Sequence, residues 1–436
     1  MCPRPRCSGC DGARAETPPG TLVEERRNAT AALTFARASR VRSRRAPGAR
    51  AAPDAHFARA GSRRAHRLRS DMEASAPKPL VLIVGATGNT GSAAVKQLRA
   101  AQWPVRAAVR VADSRSARLS ALGAEVVCAD MFDAVAVAAA FRGVKRAYFV
   151  PPIHALAVHA AALFANAARA EKVEHVVLLS QWLAGASRPS LLSRQHVVMD
   201  DMFRSLEAHG IGCTIVRPGF FADLPYVNLG RYAAQLGVLP LPVLGSARDA
   251  PPSVEDIARV VVAALRDPER HRGRDYRPTG PELLTVDQMV AIMSREFGRN
   301  VTHLHFMPRW LLHKAAIADG FSDFTAAQFG YYLDDLAAGG FAHGGPTGDV
   351  LEATGVAPES FEAVCRRYAT QPSHKRTFGS VAVAAWRFFI VPFKRGLDVA
   401  SYERQHELPR APKPLLAGRD DAWKAAVTKA RAADGK

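Results

Sequence analysis

Gly85-Ala-Thr-Gly88-Asn-Thr-Gly91 is the segment whose residue types and spacing point most directly to chemistry. It follows a short apolar run, Leu80-Val-Leu-Ile-Val84, and opens a stretch of helical pattern. In a strand–turn–helix setting the three glycines have separate tasks. Gly85 permits a tight turn, Gly88 lets backbone approach a pyrophosphate, and Gly91 lets helix and strand pack closely. The helix start then offers unpaired N–H groups and a positive dipole end to phosphates. Thr87, Asn89 and Thr90 complete the loop, and Pro151, after the fourth expected strand, is assigned to the same dinucleotide set. An NAD site places an acid at the end of the second strand, about 20 residues past the motif. Here that strand ends Ala107-Ala-Val-Arg110, and the first acid is Asp113. Arg110 suits the 2′-phosphate of NADP, so NADP (NADPH) is expected over NAD. Asp130, after the third strand, is expected either to contact the adenine or to cap a helix.

A parallel sheet must position these residues. The continuous apolar run at 80–84 reads as a strand buried on both faces, and 105–109, 125–128, 146–150, 175–179 and 213–216 also read as strands. Helical stretches at 91–101, 115–122, 133–142, 154–171 and 191–209 alternate with them, which predicts an α/β fold with a doubly wound parallel-sheet Rossmann domain. Further on, Ser253-Val-Glu-Asp256 and Thr285-Val-Asp-Gln288 look like capping boxes opening helices 254–266 and 286–297. Short strands near 238–244, 276–279 and 301–306, with helices 308–318, 325–338 and 358–369, predict a smaller mixed α/β C-terminal lobe. The expected division is a tail over 1–77, an NAD(P)-binding body over 78–369 whose substrate lobe is mainly 225–369, and an extension over 370–436.

The composition agrees with a globular body and removes several classes. The chain has 436 residues, 48% apolar and 23% charged, which excludes a collagen, a wholly disordered chain and a polytopic membrane protein. Of the formal charge of +19, residues 1–70 carry +11, with 16 arginines, no lysine and five acids. The basic balance is therefore mostly a property of the tail, and no nucleic-acid binding is expected of the folded body. The tail reads either as an Arg-rich import sequence, mitochondrial or plastid, or as a segment preceding an effective start at Met72 in a cytoplasmic protein. Cys2, Cys7 and Cys10 lack a fourth ligand at zinc spacing, and Cys128, Cys213 and Cys365 are expected as buried thiols. Val381 to Phe393 is apolar but short of the ~20 residues needed to span a bilayer. It is either a helix packed on the body or an interfacial helix in weak membrane-surface contact, with Lys375, Arg376, Lys394 and Arg395 near headgroups. His303, His305 and His313 have no suitably spaced carboxylate or thiol, so no metal is expected.

With the glycine loop, Arg110 and Arg217-Pro-Gly-Phe-Phe221 in hand, residues 79–369 resemble the NmrA-like branch of atypical short-chain dehydrogenases/reductases. The resemblance implies an extended Rossmann fold with a substrate lobe. It also implies one of two functions: an NAD(P)H-dependent reductase, including quinone reductase-like types, or a catalytically silent redox sensor that binds the dinucleotide and a protein partner.

Ordinary members of the wider group use Ser, Tyr and Lys, the last two four apart, and no tyrosine here is followed by lysine at that spacing. Ser180 ends the fifth strand, at the sheet edge where substrates sit. His196 and Asp200 resemble a Lys–acid pair common in NmrA-like reductases, with histidine in place of lysine. At i,i+4 they share a helix face, so Asp200 is expected to orient an imidazole that donates a proton to a reduced quinone or enone; the plainer reading is a surface histidine beside an exposed acid. Gln181, Trp182, Phe220 and Phe221 are expected to wall a planar small-molecule substrate, although Trp182 also suits a core position. The leading expectation is hydride transfer from NADPH to a quinone or conjugated carbonyl. The silent sensor is the alternative, and a nucleotide-sugar epimerase is disfavoured by the missing Tyr/Lys pair.

Overall fold

The computed structural model describes residues 77–433, so the readings of the Arg-rich tail and its cysteines fall outside the described residues. β1 (Val81–Val84) is buried at all four positions because it lies in mid-sheet with helices on both faces. It pairs in parallel with β2 (Val105–Val109) on one side and β4 (Arg146–Phe149) on the other, Val84 lying opposite both Ala108 and Phe149. With β3 (Glu125–Cys128), β5 (His175–Leu179) and β6 (Gly212–Val216), the order runs β3-β2-β1-β4-β5-β6. The order reverses between β1 and β4, and a crevice opens there at the carboxyl ends of the strands.

The sheet has a seventh strand, Asp275–Tyr276, parallel to β6. The sequence placed a strand near 276–279 in the smaller lobe. It joins the main sheet because Ile215 and Val216 pair with Asp275 and Tyr276, and the Arg217 amide donates to the Tyr276 carbonyl at 2.7 Å.

One face is covered by α1 (Asn89–Ala100) and the helix Val254–Arg266, which pack on Val81 and Ile83. α2 (Ser114–Ala121) lies beside β3, while α3 (Ala134–Phe141), α4 (Ala157–Ala170) and α5 (Leu191–Arg204) cover Leu82 and Val84 on the other face. Phe149, Phe164 and Phe203 form the centre of that second layer, with ring centroids 4.7–5.6 Å apart. Cys213 and Cys365 are buried, but Cys128 is exposed, contrary to expectation, because β3 is an edge strand covered less completely than the sheet centre.

Around 222–369 the chain forms helices and two-stranded pairs: Val238–Leu239 with Thr302–His303, and Arg248–Asp249 with Leu284–Thr285. The Thr285–Gln288 capping box is reciprocal. At Ser253 only half of one forms, because the Asp256 carboxylate turns away to accept from the Glu359 amide at 2.7 Å. Helices Phe378–Ile390, Val399–Gln405 and Asp421–Ala433 follow. The first packs beside helix Asn228–Leu236, where Phe388 meets Tyr232 edge-on at 6.2 Å. The later segment is tied down by Arg188, fully buried, which donates to Leu183 O, Leu415 O and Asp420. No helix among the described residues is long and apolar enough to cross a membrane.

Candidate functional site

The glycine loop has the shape of a phosphate cradle. Gly85 sits at φ +72°, a conformation that favours glycine, and its carbonyl accepts from the Gly88 amide at 2.9 Å. A Cβ on Gly91 would collide with the Gly85 carbonyl group, so the turn closes only on glycine. Gly88 is the N-cap of α1 and supplies no side-chain cap. Among the described residues, the amides of Asn89, Thr90 and Gly91 therefore have no acceptor, and three donors stand open at a positive helix end. These features fit a dinucleotide pyrophosphate. Thr87 is half-buried beside them, and Thr90 Oγ1 is held by the Tyr148 hydroxyl at 3.3 Å.

Arg110 is exposed just past β2 and makes no ion pair among the described residues. The nearest following acid, Asp113, caps α2 in a reciprocal box with Ser116 and pairs with Arg115. The acid nearest after β2 is thus engaged in capping. Asp130 is exposed and accepts from the Phe132 amide at 2.9 Å, whereas the cap of α3 is Asp133; the helix-cap reading of Asp130 is thereby corrected.

A cavity of about 630 Å³ runs from Asn89 and Thr90 past Pro151 and Ser180 into the second half of the chain. Its far wall is apolar and aromatic, with Phe220, Phe221, Phe329, Phe341 and Leu311. Phe220 stacks on Phe341 at 4.9 Å, which keeps that wall flat. Gln181, Trp182 and His196 also line the cavity. Trp182 is 1% exposed, its indole N–H donating to the Gly340 carbonyl at 3.1 Å and Arg277 covering its ring at 4.8 Å, so it backs the wall as core.

Asp200 does not orient His196. Its Oδ2 accepts from Arg217 Nη1 at 2.6 Å, and Arg217 Nε reaches Asp275 at 2.8 Å, so the cation at the end of β6 takes the acid on α5. Two carboxylates hold the Arg217 guanidinium firmly protonated despite its burial. Ser180 Oγ accepts from the same guanidinium at 3.3 Å. His196 is buried, with Nδ1 2.8 Å from the Leu192 carbonyl and 3.0 Å from Gln181 Nε2. Burial pushes its pKa down to about 4, so it is an uncharged imidazole near neutrality rather than the imidazolium acid expected.

Tyr332, which the sequence reading did not single out, joins this wall. Its hydroxyl donates to Gln181 Oε1, which also accepts from Ser193 Oγ at 3.3 Å. Burial raises the phenol pKa, so the hydroxyl keeps its proton. Tyr332, Gln181 and His196 thus form a hydrogen-bonded line along the cavity. A search for Tyr and Lys four apart passes over this tyrosine because it comes from helix Asp323–Ala337 of the lobe.

The sequence model of the NmrA-like family matches residues 77–322. The chain is 30% identical to an NAD(P)H azoreductase of Xenophilus azovorans over 228 residues, which are 52% of this chain and 76% of that protein. It is 25% identical to quinone oxidoreductase 2 of Escherichia coli over 292 residues, 63% of this chain and 96% of that one. The structure of the Escherichia coli NADPH-dependent quinone oxidoreductase complexed with NADPH superposes with a TM-score of 0.56 at 22% identity, covering 66% of this chain and 99% of that chain.

Proposed function

The chain belongs to the NmrA-like family, and from that premise we propose that it is an NADPH-dependent reductase of quinones or similarly conjugated apolar acceptors. The observation carrying this reading is the single cavity that joins the open amides of α1 to a flat aromatic wall bearing neutral hydrogen-bond donors. The chemistry a nicotinamide dinucleotide supplies at such a site is hydride donation. The amides of Asn89, Thr90 and Gly91 would hold its phosphates, and Arg110 would favour a 2′-phosphate. Phe220 and Phe221 exclude water and align a planar acceptor near contact distance. An acceptor reduced in this cavity would develop negative charge on its oxygen. The Gln181 carboxamide would donate a hydrogen bond there from Nε2, while Tyr332, donating to Gln181 Oε1, and His196 hold Gln181 in place. Arg217 with Asp200 fixes α5 against β6, and Ser180 stays near the reacting centre.

The test is NADPH consumption by the purified full-length chain offered soluble quinones and enones, with NADPH binding measured in parallel. Consumption that needs both protein and acceptor supports the reductase. Tight NADPH binding with no consumption across the panel would replace it with the sensor reading.

A further inference from the structure

We propose that helix Phe378–Ile390 docks the protein on an anionic lipid surface and that the cavity takes its acceptor from that surface. The second half rests on the reductase reading; the first does not. Phe378, Trp386, Phe389 and Phe393 are 93%, 61%, 67% and 77% exposed, and their spacing puts them along one side of the helix and its short continuation. Trp386 and Phe389 lie 6.5 Å apart and Phe389 and Phe393 6.0 Å between ring centroids, so the three rings form a continuous outer stripe. The opposite side is anchored by buried Ala384 and Val391. Lys314 donates to the Pro392 carbonyl at 2.6 Å and covers the ring of Trp310, itself 52% exposed, which extends the patch.

Charge identifies the occupant. From Gln371 to Gly396 there are five cations (Lys375, Arg376, Arg387, Lys394 and Arg395) and no acid. Lys375, Arg376 and Lys394 make no ion pair among the described residues and stand at the two ends of the aromatic stripe. A second copy of the same face would bring like charges together, whereas anionic headgroups complement them. Aromatic rings with flanking cations on a helix of 13 residues suit the bilayer interface, at a length far short of a span.

The placement of this helix links the surface to the site. Phe388 and Val391 on its inner side, with neighbouring Phe321, line the same cavity that reaches Asn89. Arg387 lies 3.9 Å from Asp319, which also pairs with Arg231 at the cavity wall. An acceptor dissolved in the bilayer would therefore enter beside the docked helix.

The test uses the full-length chain, vesicles of phosphatidylcholine alone or mixed with phosphatidylglycerol, and the variants Trp386→Ser/Phe389→Ser and Lys375→Glu/Arg376→Glu. None of these four residues lines the cavity. Wild type should sediment with the anionic vesicles and be released by salt, and each variant should bind at least about tenfold more weakly. Trp386→Ser/Phe389→Ser should also lose at least about tenfold of its rate on a long-chain isoprenoid quinone carried in vesicles, with its rate on a short soluble quinone unchanged. No sedimentation, equal sedimentation of the variants, or a dimer in light scattering that the aromatic variant dissolves would overturn the docking. Equal loss on both quinones would overturn acceptor delivery. No turnover of the soluble quinone by wild type would defeat the reductase reading, and delivery with it, while sedimentation still decides the docking.

Discussion

Replacing Tyr332 by Phe removes one hydroxyl from the cavity wall and leaves the ring in its aromatic cluster beside Phe220 and Phe341. If that hydroxyl fixes Gln181 where its Nε2 meets the charge developing on the acceptor, kcat should fall by about 10²-fold while NADPH affinity stays the same. A variant with wild-type kcat would assign Tyr332 to packing. Arg110→Asp places a carboxylate where the 2′-phosphate is expected, so NADPH affinity should drop by roughly 10–100-fold while NADH affinity holds. Unchanged preference in a titration of both cofactors would remove Arg110 from the assignment. The glycine turn was legible in the sequence because local backbone geometry alone defines it. The His196–Asp200 pairing was misread because helix spacing shows which residues share a face, not which cation arrives from elsewhere. Arg217 reaches Asp200 from the end of β6, and Tyr332 reaches Gln181 from the lobe; both contacts are tertiary.

Among the elements, α1 and the turn before it are the least tolerant of change. Gly91→Ala forces a methyl into the Gly85 carbonyl region, and with backbone on that side neither partner can step aside cheaply. The strain should cost about 1–3 kcal/mol and splay the three open amides, so NADPH binding should fall more than global stability does. Urea unfolding and cofactor titration on one preparation would separate the two effects. If the losses are equal, the turn serves folding and not the phosphate. The six longer strands could be read from sequence because each is mostly apolar and alternates with a helical stretch, β1 alone being apolar throughout. The seventh escaped because two residues, Asp275 and Tyr276, carry no pattern, and only their pairing with Ile215 and Val216 assigns them to the sheet. The exposure of Cys128 depends likewise on strand order, which composition does not encode.

At the scale of the described molecule, the chain beyond residue 397 returns to the body and is fastened at two buried points, Arg188 on Asp420 and Asp335 on the Ala417 amide at 2.6 Å. These fastenings differ in their response to pH. Burial pushes the Asp335 carboxyl up to about 6, above its unfolded value near 3.9, so the folded state holds its proton more tightly across that window. Stability from this group is therefore lost as pH rises from about 4 to about 6 and stays level above that, at a total of about 3 kcal/mol. Asp335→Asn keeps an oxygen for the Ala417 amide without the buried charge. It should match wild type near pH 4 and exceed it by about 1–3 kcal/mol at pH 8 in urea unfolding, with the segment beyond residue 397 better protected from protease. Arg188 opposes this outcome, since its cation favours the ionised Asp335. Were attraction to Arg188 the larger effect, the Asn variant would be weaker at pH 8, and the carboxylate would count as a partner of Arg188 rather than a cost of burial. Desolvation outweighs that attraction here because Arg188 directs its hydrogen bonds to Leu183, Leu415 and Asp420 and none to Asp335, whose Oδ2 is buried with no donor.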